Sequence, residues 1–191
     1  DRILGAQVNI IPGLPEETEA QTEERCHQLG LEHAARLEAQ GHRCYDVPMG
    51  GASPVGSAAF IGGYLELMQQ CEAAGIAPTH VYAATGTGGT LAGLVAGHQA
   101  LEAGPEIVGV AVSRKDEGYE GRCAALANAS LAWLGSDVRV TADDFIVDRG
   151  YFEPGYEQPN EAANEAIRRL ARTDGLLTDP VYTGKALAGL L

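Results

Sequence analysis

Apolar and polar positions alternate along this chain between short apolar runs and longer stretches with helical spacing, the pattern of an α/β fold with a mostly parallel sheet. Residues 7–11 read as a strand stopped by Pro12-Gly13, and residues 43–47 as a second that runs into the loop at 48–54. Between them residues 15–40 have helical spacing, opened by Pro15 and glutamates and closed by Gly41, with Gly30 as a point of interruption. Residues 57–74 place Ile61, Leu65 and Met68 at spacings of four and three. A strand at 80–84 then leads through a glycine-rich turn at 85–90 into a helix at 91–102.

Residues 107–112 are almost continuously apolar, as in a strand covered on both faces. A helix at 119–134 and a short strand at 144–147 follow. Asn160 caps a helix at 161–173, within which Glu165 and Arg169 form an i,i+4 pair. The last helix starts near Gly184 and runs to Leu191. The chain opens on a strand, begins with Asp1 rather than Met and closes inside an apolar helix. The expectation is an incomplete fold, truncated at both ends.

Composition narrows this picture without changing it. With 45% apolar and 20% charged residues the chain is an ordinary soluble globular sequence. No apolar run approaches the roughly 20 residues of a membrane-spanning helix, and no secretory signal pattern opens the chain. A net charge of −13 argues against nucleic acid, whose phosphates call for clustered Lys and Arg. The acidic run at 16–24 reads as a solvated face at a helix start. Cys26, Cys44, Cys71 and Cys123 form no C-x-x-C pair, which favours reduced thiols in a cytoplasmic protein over a disulfide framework or a zinc site. The histidines show no ligand spacing, and no metal is expected.

The turn Thr85-Gly86-Thr87-Gly88-Gly89-Thr90 carries the first chemistry. Between a strand and a helix, glycines let the backbone approach an anion, and the helix N–H groups and dipole favour phosphate. Thr85, Thr87 and Thr90 add hydroxyl donors. The turn lacks the Gly-Lys-[Ser/Thr] of a P-loop and the third glycine of a dinucleotide fingerprint. A tight turn with no ligand is the alternative reading of this segment alone.

Three stretches together resemble the D-cysteine desulfhydrase and 1-aminocyclopropane-1-carboxylate deaminase family. They are Pro48-Met49-Gly50-Gly51-Ala52-Ser53-Pro54-Val55-Gly56, the turn at 85–90, and the segment from Tyr151 to Glu161 followed by Leu177-Thr178-Asp179-Pro180-Val181-Tyr182-Thr183-Gly184-Lys185. The resemblance runs along nearly the whole chain. It implies fold type II pyridoxal-phosphate architecture (tryptophan synthase beta-like), with an open, mostly parallel sheet, helices on both faces and pyridoxal 5'-phosphate between two α/β domains. Residues 1–50 would be the end of the small domain, and 51–191 most of the large, cofactor-phosphate-binding domain.

By the same resemblance Thr85, Gly86, Thr87, Gly88, Gly89 and Thr90 anchor the cofactor phosphate, while Tyr156 and Tyr182 face a small amino-acid substrate. A phenol there donates to a substrate carboxylate, or shuttles a proton if its pKa is lowered. Thr183 stands where the deaminases carry a glutamate beside the pyridine nitrogen. An uncharged residue there suits β-elimination better than ring opening and points to the desulfhydrase side. Lys185 matches a Gly-Lys pair that is not the cofactor lysine, and Lys115 matches no motif. The family's cofactor lysine lies far upstream of the matched region and is not in this sequence. The resemblance thus implies a homodimeric lyase, converting D-cysteine to pyruvate, sulfide and ammonia, of which this chain holds the cofactor cradle and is inactive alone. The other readings are a non-catalytic homologue serving as a binding or assembly module, and a deaminase or L-cysteate lyase of the same family.

Overall fold

The structure is a computed structural model that describes residues 2–14, 16, 19–158 and 160–191, without the side chains of Glu19 and Ala20. It divides into two compact units, Asp1–Pro48 and Met49–Leu191.

Among its described residues the first unit has a short 3-10 turn at Arg2–Leu4 and one α-helix, α1 (Glu19–Glu38). The helix runs unbroken through Gly30 and stops where Gly41, at φ 91°, turns the chain. The expected opening at Pro15, and the middle of the acidic run at Glu17, lie outside the described residues. Segments on either side of α1 are tied to it by polar contacts. Arg25 donates to the Pro12 carbonyl at 2.7 Å, and His27 lies 3.2 Å from the Asp46 carboxylate. Neither 7–11 nor 43–47 forms a strand, contrary to the expectation from their apolar pattern. A two-residue period supplies the faces of a strand, but the element exists only where a neighbouring backbone completes the ladder. Ile10 and Val47 are accordingly exposed within this unit.

The second unit begins with a tight turn at Met49–Gly51 and helix α2 (Pro54–Ala74). Ser53 caps α2 by accepting from the Gly56 N–H at 3.1 Å, and Pro54 occupies the first helical position, where its missing N–H costs nothing. Strand β1 (His80–Thr85) leads to α3 (Gly89–Leu101), then β2 (Glu106–Ala111), α4 (Tyr119–Trp133), β3 (Ile146–Asp148), α5 (Glu161–Asp174) and α6 (Thr183–Leu190). The three strands form one parallel sheet in the order β1-β2-β3, with Tyr82 opposite Val108 and Val108 opposite Ile146.

Helices cover both faces of this sheet, and β2 shows how the alternation is used. A methyl group on Gly109 would lie 2.6 Å from Leu91 of α3, whereas Val110, one residue on, is the neighbour that Gly189 of α6 approaches. Ile107 joins Leu91, Val95, Tyr119, Cys123 and Leu131 in a core between the sheet and α2, α3 and α4. Glycines at positions 89, 93 and 97 make one stripe along α3. Methyl groups there would lie 3.2 Å from Ala52 Cα, 2.2 Å from the Ser57 carbonyl and 2.8 Å from Tyr64 Cβ, so the stripe is what lets α2 lie directly on α3. On α5, Asn160 accepts from the Ala163 N–H at 3.0 Å, as expected of a cap. Glu165, however, pairs with Arg168 rather than Arg169, because Arg168 reaches both Glu161 at 3.0 Å and Glu165 at 3.5 Å.

Candidate active site

All three strands run in one direction, so the segments that follow them emerge at one edge of the sheet. Ligands of open α/β sheets bind at this carboxyl edge. The turn after β1 carries Gly86, Thr87 and Gly88, and α3 opens on Gly88 with no side-chain cap. Among the described residues the first N–H groups of α3 therefore have neither an intrahelical partner nor a side-chain acceptor, and they carry the positive end of the helix dipole. Gly88 has φ 94°, and a methyl group on it would lie 2.6 Å from Cys123 Sγ and 3.2 Å from Tyr119 Oη. A methyl group on Gly50 would lie 2.5 Å from Thr87 Oγ1, so the Met49–Gly51 turn lies against the glycine turn.

Thr85 is buried, and its hydroxyl lies 2.6 Å from Tyr119 Oη. Tyr119 in turn donates to the Gly86 carbonyl at 3.1 Å. A carbonyl only accepts, so the single phenol proton goes to Gly86 and Thr85 donates to Tyr119. The Thr85 hydroxyl therefore braces the turn from within, while Thr87 is exposed and Thr90 half-buried. Burial pushes the Tyr119 phenol far above its ordinary value, and also raises the Cys123 thiol behind it. Lys115 donates to Ser113 at 2.6 Å and lies 5.1 Å from the centre of the Tyr119 ring.

The second cluster lies at the start of α6. Tyr156 and Tyr182 meet through their hydroxyls, ring centres 5.9 Å apart and edge to face. Both remain substantially exposed, at 44% and 43%. The hydrogen bond to Tyr182, then burial, raise Tyr156 to about 12, so it holds its proton at neutral pH and can act as a donor. Thr183 donates to Asp179 Oδ1 at 2.5 Å and accepts from the Asp179 N–H at 3.0 Å. Burial pushes the Asp179 carboxyl up, but the Thr183 hydroxyl and the N–H groups of Thr183, Tyr182 and Val181 outweigh it and hold the pKa at about 2.

Lys185 is fully buried and gives its three protons to the carbonyls of Val112 at 3.3 Å, Phe152 at 3.3 Å and Gly155 at 3.0 Å. Its amine is not available as a nucleophile.

The residues at the turn fit a cofactor phosphate. Besides the uncapped helix and the glycines, Ser57 Oγ is buried with no hydrogen-bond partner among the described residues, 3.6 Å from where a methyl on Gly89 would sit. A buried hydroxyl without a partner costs on the order of 1–3 kcal/mol. An anion oxygen at the turn would offer it an acceptor. Ser57, Tyr119 and Asp179 were not among the residues singled out from sequence. Asp179 lies inside a quoted motif, and Ser57 directly follows one, but Tyr119 carries no local signal.

Residues 1–191 match the family model described as pyridoxal-phosphate dependent enzyme. The chain is 43% identical over 158 residues to D-cysteine desulfhydrase of Salmonella typhi, which takes in 83% of this chain and 47% of that protein. The identity and coverage are the same with D-cysteine desulfhydrase of Salmonella newport strain SL254. The chain thus spans about half the length of the curated relatives it matches. The crystal structure of an ACC deaminase homologue is similar with a TM-score of 0.82 and 29% identity, covering 100% of this chain and 54% of that one. The sheet with helices on both faces is the fold type II architecture. On the family match and these identities, this chain belongs to the pyridoxal-phosphate dependent enzymes, in the branch of the D-cysteine desulfhydrases and ACC deaminases.

Proposed function

We propose that this chain supplies the cofactor-phosphate half of an active site that eliminates sulfide from D-cysteine. The overall reaction consumes one water and yields pyruvate, hydrogen sulfide and ammonia. The observation that carries the reading is the uncapped N-terminus of α3, opening between glycines at the carboxyl edge of a parallel sheet. Residues 1–50 are then the end of a small domain and 51–191 most of the large one. Pyridoxal phosphate, when bound, supplies an electron sink for the substrate's α-carbon.

This chain's own part is to bind, orient and hold protons. Gly86, Thr87, Gly88, Gly89 and Thr90 present backbone N–H groups and hydroxyls to the phosphate, Thr85 braces them through Tyr119, and Ser57 adds a hydroxyl. Tyr156, a protonated phenol beside Tyr182, donates to the substrate carboxylate. Of the two roles open to a phenol, its raised pKa favours this one over that of a resident base.

Thr183 has no charge with which to hold a ring nitrogen protonated. It contacts such a nitrogen in one of two ways, redirecting its proton from Asp179 or offering its remaining lone pair. A neutral residue at this place suits a reaction in which the departing sulfide takes up the electrons. The cofactor lysine comes from outside this sequence. Of the two lysines present, Lys185 is saturated by carbonyls and Lys115 is engaged by Ser113. The same reading has the protein as a cytoplasmic homodimer, in keeping with four unpaired thiols.

The test is turnover by the full-length protein on D-cysteine, L-cysteate and 1-aminocyclopropane-1-carboxylate. Sulfide and pyruvate in equal amounts from D-cysteine are expected. Release of 2-oxobutanoate from the cyclopropane without sulfide would overturn the reading in favour of a deaminase, and sulfite from L-cysteate in favour of the cysteate lyase. Absence of turnover with intact cofactor binding would point to the non-catalytic homologue.

A further inference from the structure

We infer that Lys185 is a positioning residue, an internal cation that clamps the Tyr151–Gly155 turn onto the end of β2 and thereby sets Tyr156 against Tyr182. The inference rests on the reading of these two tyrosines as the substrate-facing pair.

The argument begins with the placement of a charge. A lysine is almost never fully buried unless paired, and the partners of Lys185 are three backbone carbonyls. An ammonium has three N–H donors, and all three are used. A neutral side chain of the same length would leave three carbonyl oxygens facing one another with nothing between them. Burial alone lowers the amine's pKa, while three converging carbonyl dipoles favour the charged form and oppose that shift.

The three carbonyls belong to segments far apart in sequence. Val112 directly follows β2, and its N–H donates to the Thr85 carbonyl at 3.1 Å, where the phosphate turn begins. Phe152 and Gly155 bracket the turn that delivers Tyr156, the residue after Gly155. Lys185 itself lies in the first turn of α6, three residues beyond Tyr182. Two further carbonyls of the turn are held by Asn160, whose amide donates to Tyr151 at 3.1 Å and Glu153 at 2.6 Å. Asn160 fixes the turn to α5, whereas Lys185 fixes it to the sheet and to the helix that carries Tyr182. One ammonium thus joins the phosphate turn, Tyr156 and Tyr182, without touching substrate.

The experiment uses the full-length holoenzyme and the variants K185M, K185Q and K185A. K185M should lower kcat/KM about tenfold in the wild-type background but less than twofold beside Y156F, because both changes remove the same positioned phenol. Independent, multiplying effects would overturn the inference, since a merely structural lysine predicts them. K185Q keeps two donors without the charge and repeats the same cycle should K185M not fold.

A second readout does not depend on turnover. The melting temperature of K185A should rise in ammonium chloride, which fits the vacated carbonyl cage, and not in tetramethylammonium chloride, which does not. An equal response to both salts would overturn the internal-cation role. If the wild-type protein turns over none of the amino acids offered, the functional reading fails. The ammonium response, and the K185M–Y156F coupling measured on melting temperature, still decide the role of Lys185.

Discussion

The glycine turn at 85–90 and the turn at 151–155 that delivers Tyr156 leave the same edge of the same sheet, yet they are held in place by opposite means. The first is braced from within the core. Its glycines lie against Cys123, Ala52 and Ser57, and its one long hydrogen-bonded prop, Tyr119, is almost wholly buried. The second is held mainly by polar and charged groups. Lys185 and Asn160 take up its carbonyls, and Asp179 takes up the amides at the start of α6 beside it, while Tyr156 and Tyr182 stay open to solvent. In the proposed reading, packing would fix a site that grips a permanent ligand, whereas hydrogen bonds with an open face would suit groups that meet a changing one. The first turn should therefore fail through volume, and the second through charge and protonation.

The largest effect is expected from G88A. The left-handed backbone at φ 94° and the clash with Cys123 together should cost about 2–5 kcal/mol. Cofactor affinity should fall with it, read by chemical denaturation and by cofactor fluorescence. A G88A protein as stable as wild type would show that the turn is not packed as described. Y119F comes next, because it keeps the ring and removes the hydroxyl that serves both Thr85 and Gly86. A loss of about 1–3 kcal/mol is expected in the unfolding free energy, and a null result would break the claim that the turn is braced from beneath.

The smallest effect concerns Asp179, and it sharpens the contrast through pH. Its folded pKa of about 2 lies below the ordinary value of 3.8, so its contribution is complete above the ordinary value and is lost as pH falls through about 2. D179A should cost about 1 kcal/mol near neutrality, as loss of a cap does. The gap from wild type should shrink between about pH 4 and pH 2. A gap that stays constant through that range would mean the carboxylate is not what organises the start of α6.

What sequence could show of this molecule follows the range of the interactions. The elements of the second unit were legible because each rests on local spacing, as with Asn160 before α5 or the apolar run of β2. The glycine turn was legible for the same reason, since the backbone conformation and the glycines that permit it are neighbours. The strands expected at 7–11 and 43–47 were not found, because strand formation depends on a partner that no local pattern supplies. The props of the site escaped for a related reason. Tyr119 is 34 residues from Thr85, and Lys185 is 73 from Val112. Asp179 was overlooked although its contacts are local, because its role appears only once Val181, Tyr182 and Thr183 are seen to turn their N–H groups toward it.

The hydroxyls at these two turns also differ in how many proton arrangements they permit. From Thr85 through Tyr119 to the Gly86 carbonyl there is one direction in which the protons can run, because the chain ends on an acceptor that has nothing to give back. Between Tyr156 and Tyr182 either oxygen can be the donor, so the pair has two arrangements related by a small rotation of each hydroxyl. The buried chain is a fixed dipole. The exposed pair is a reversible one, and in the proposed role it would follow a substrate whose charge is redistributed between arrival and departure.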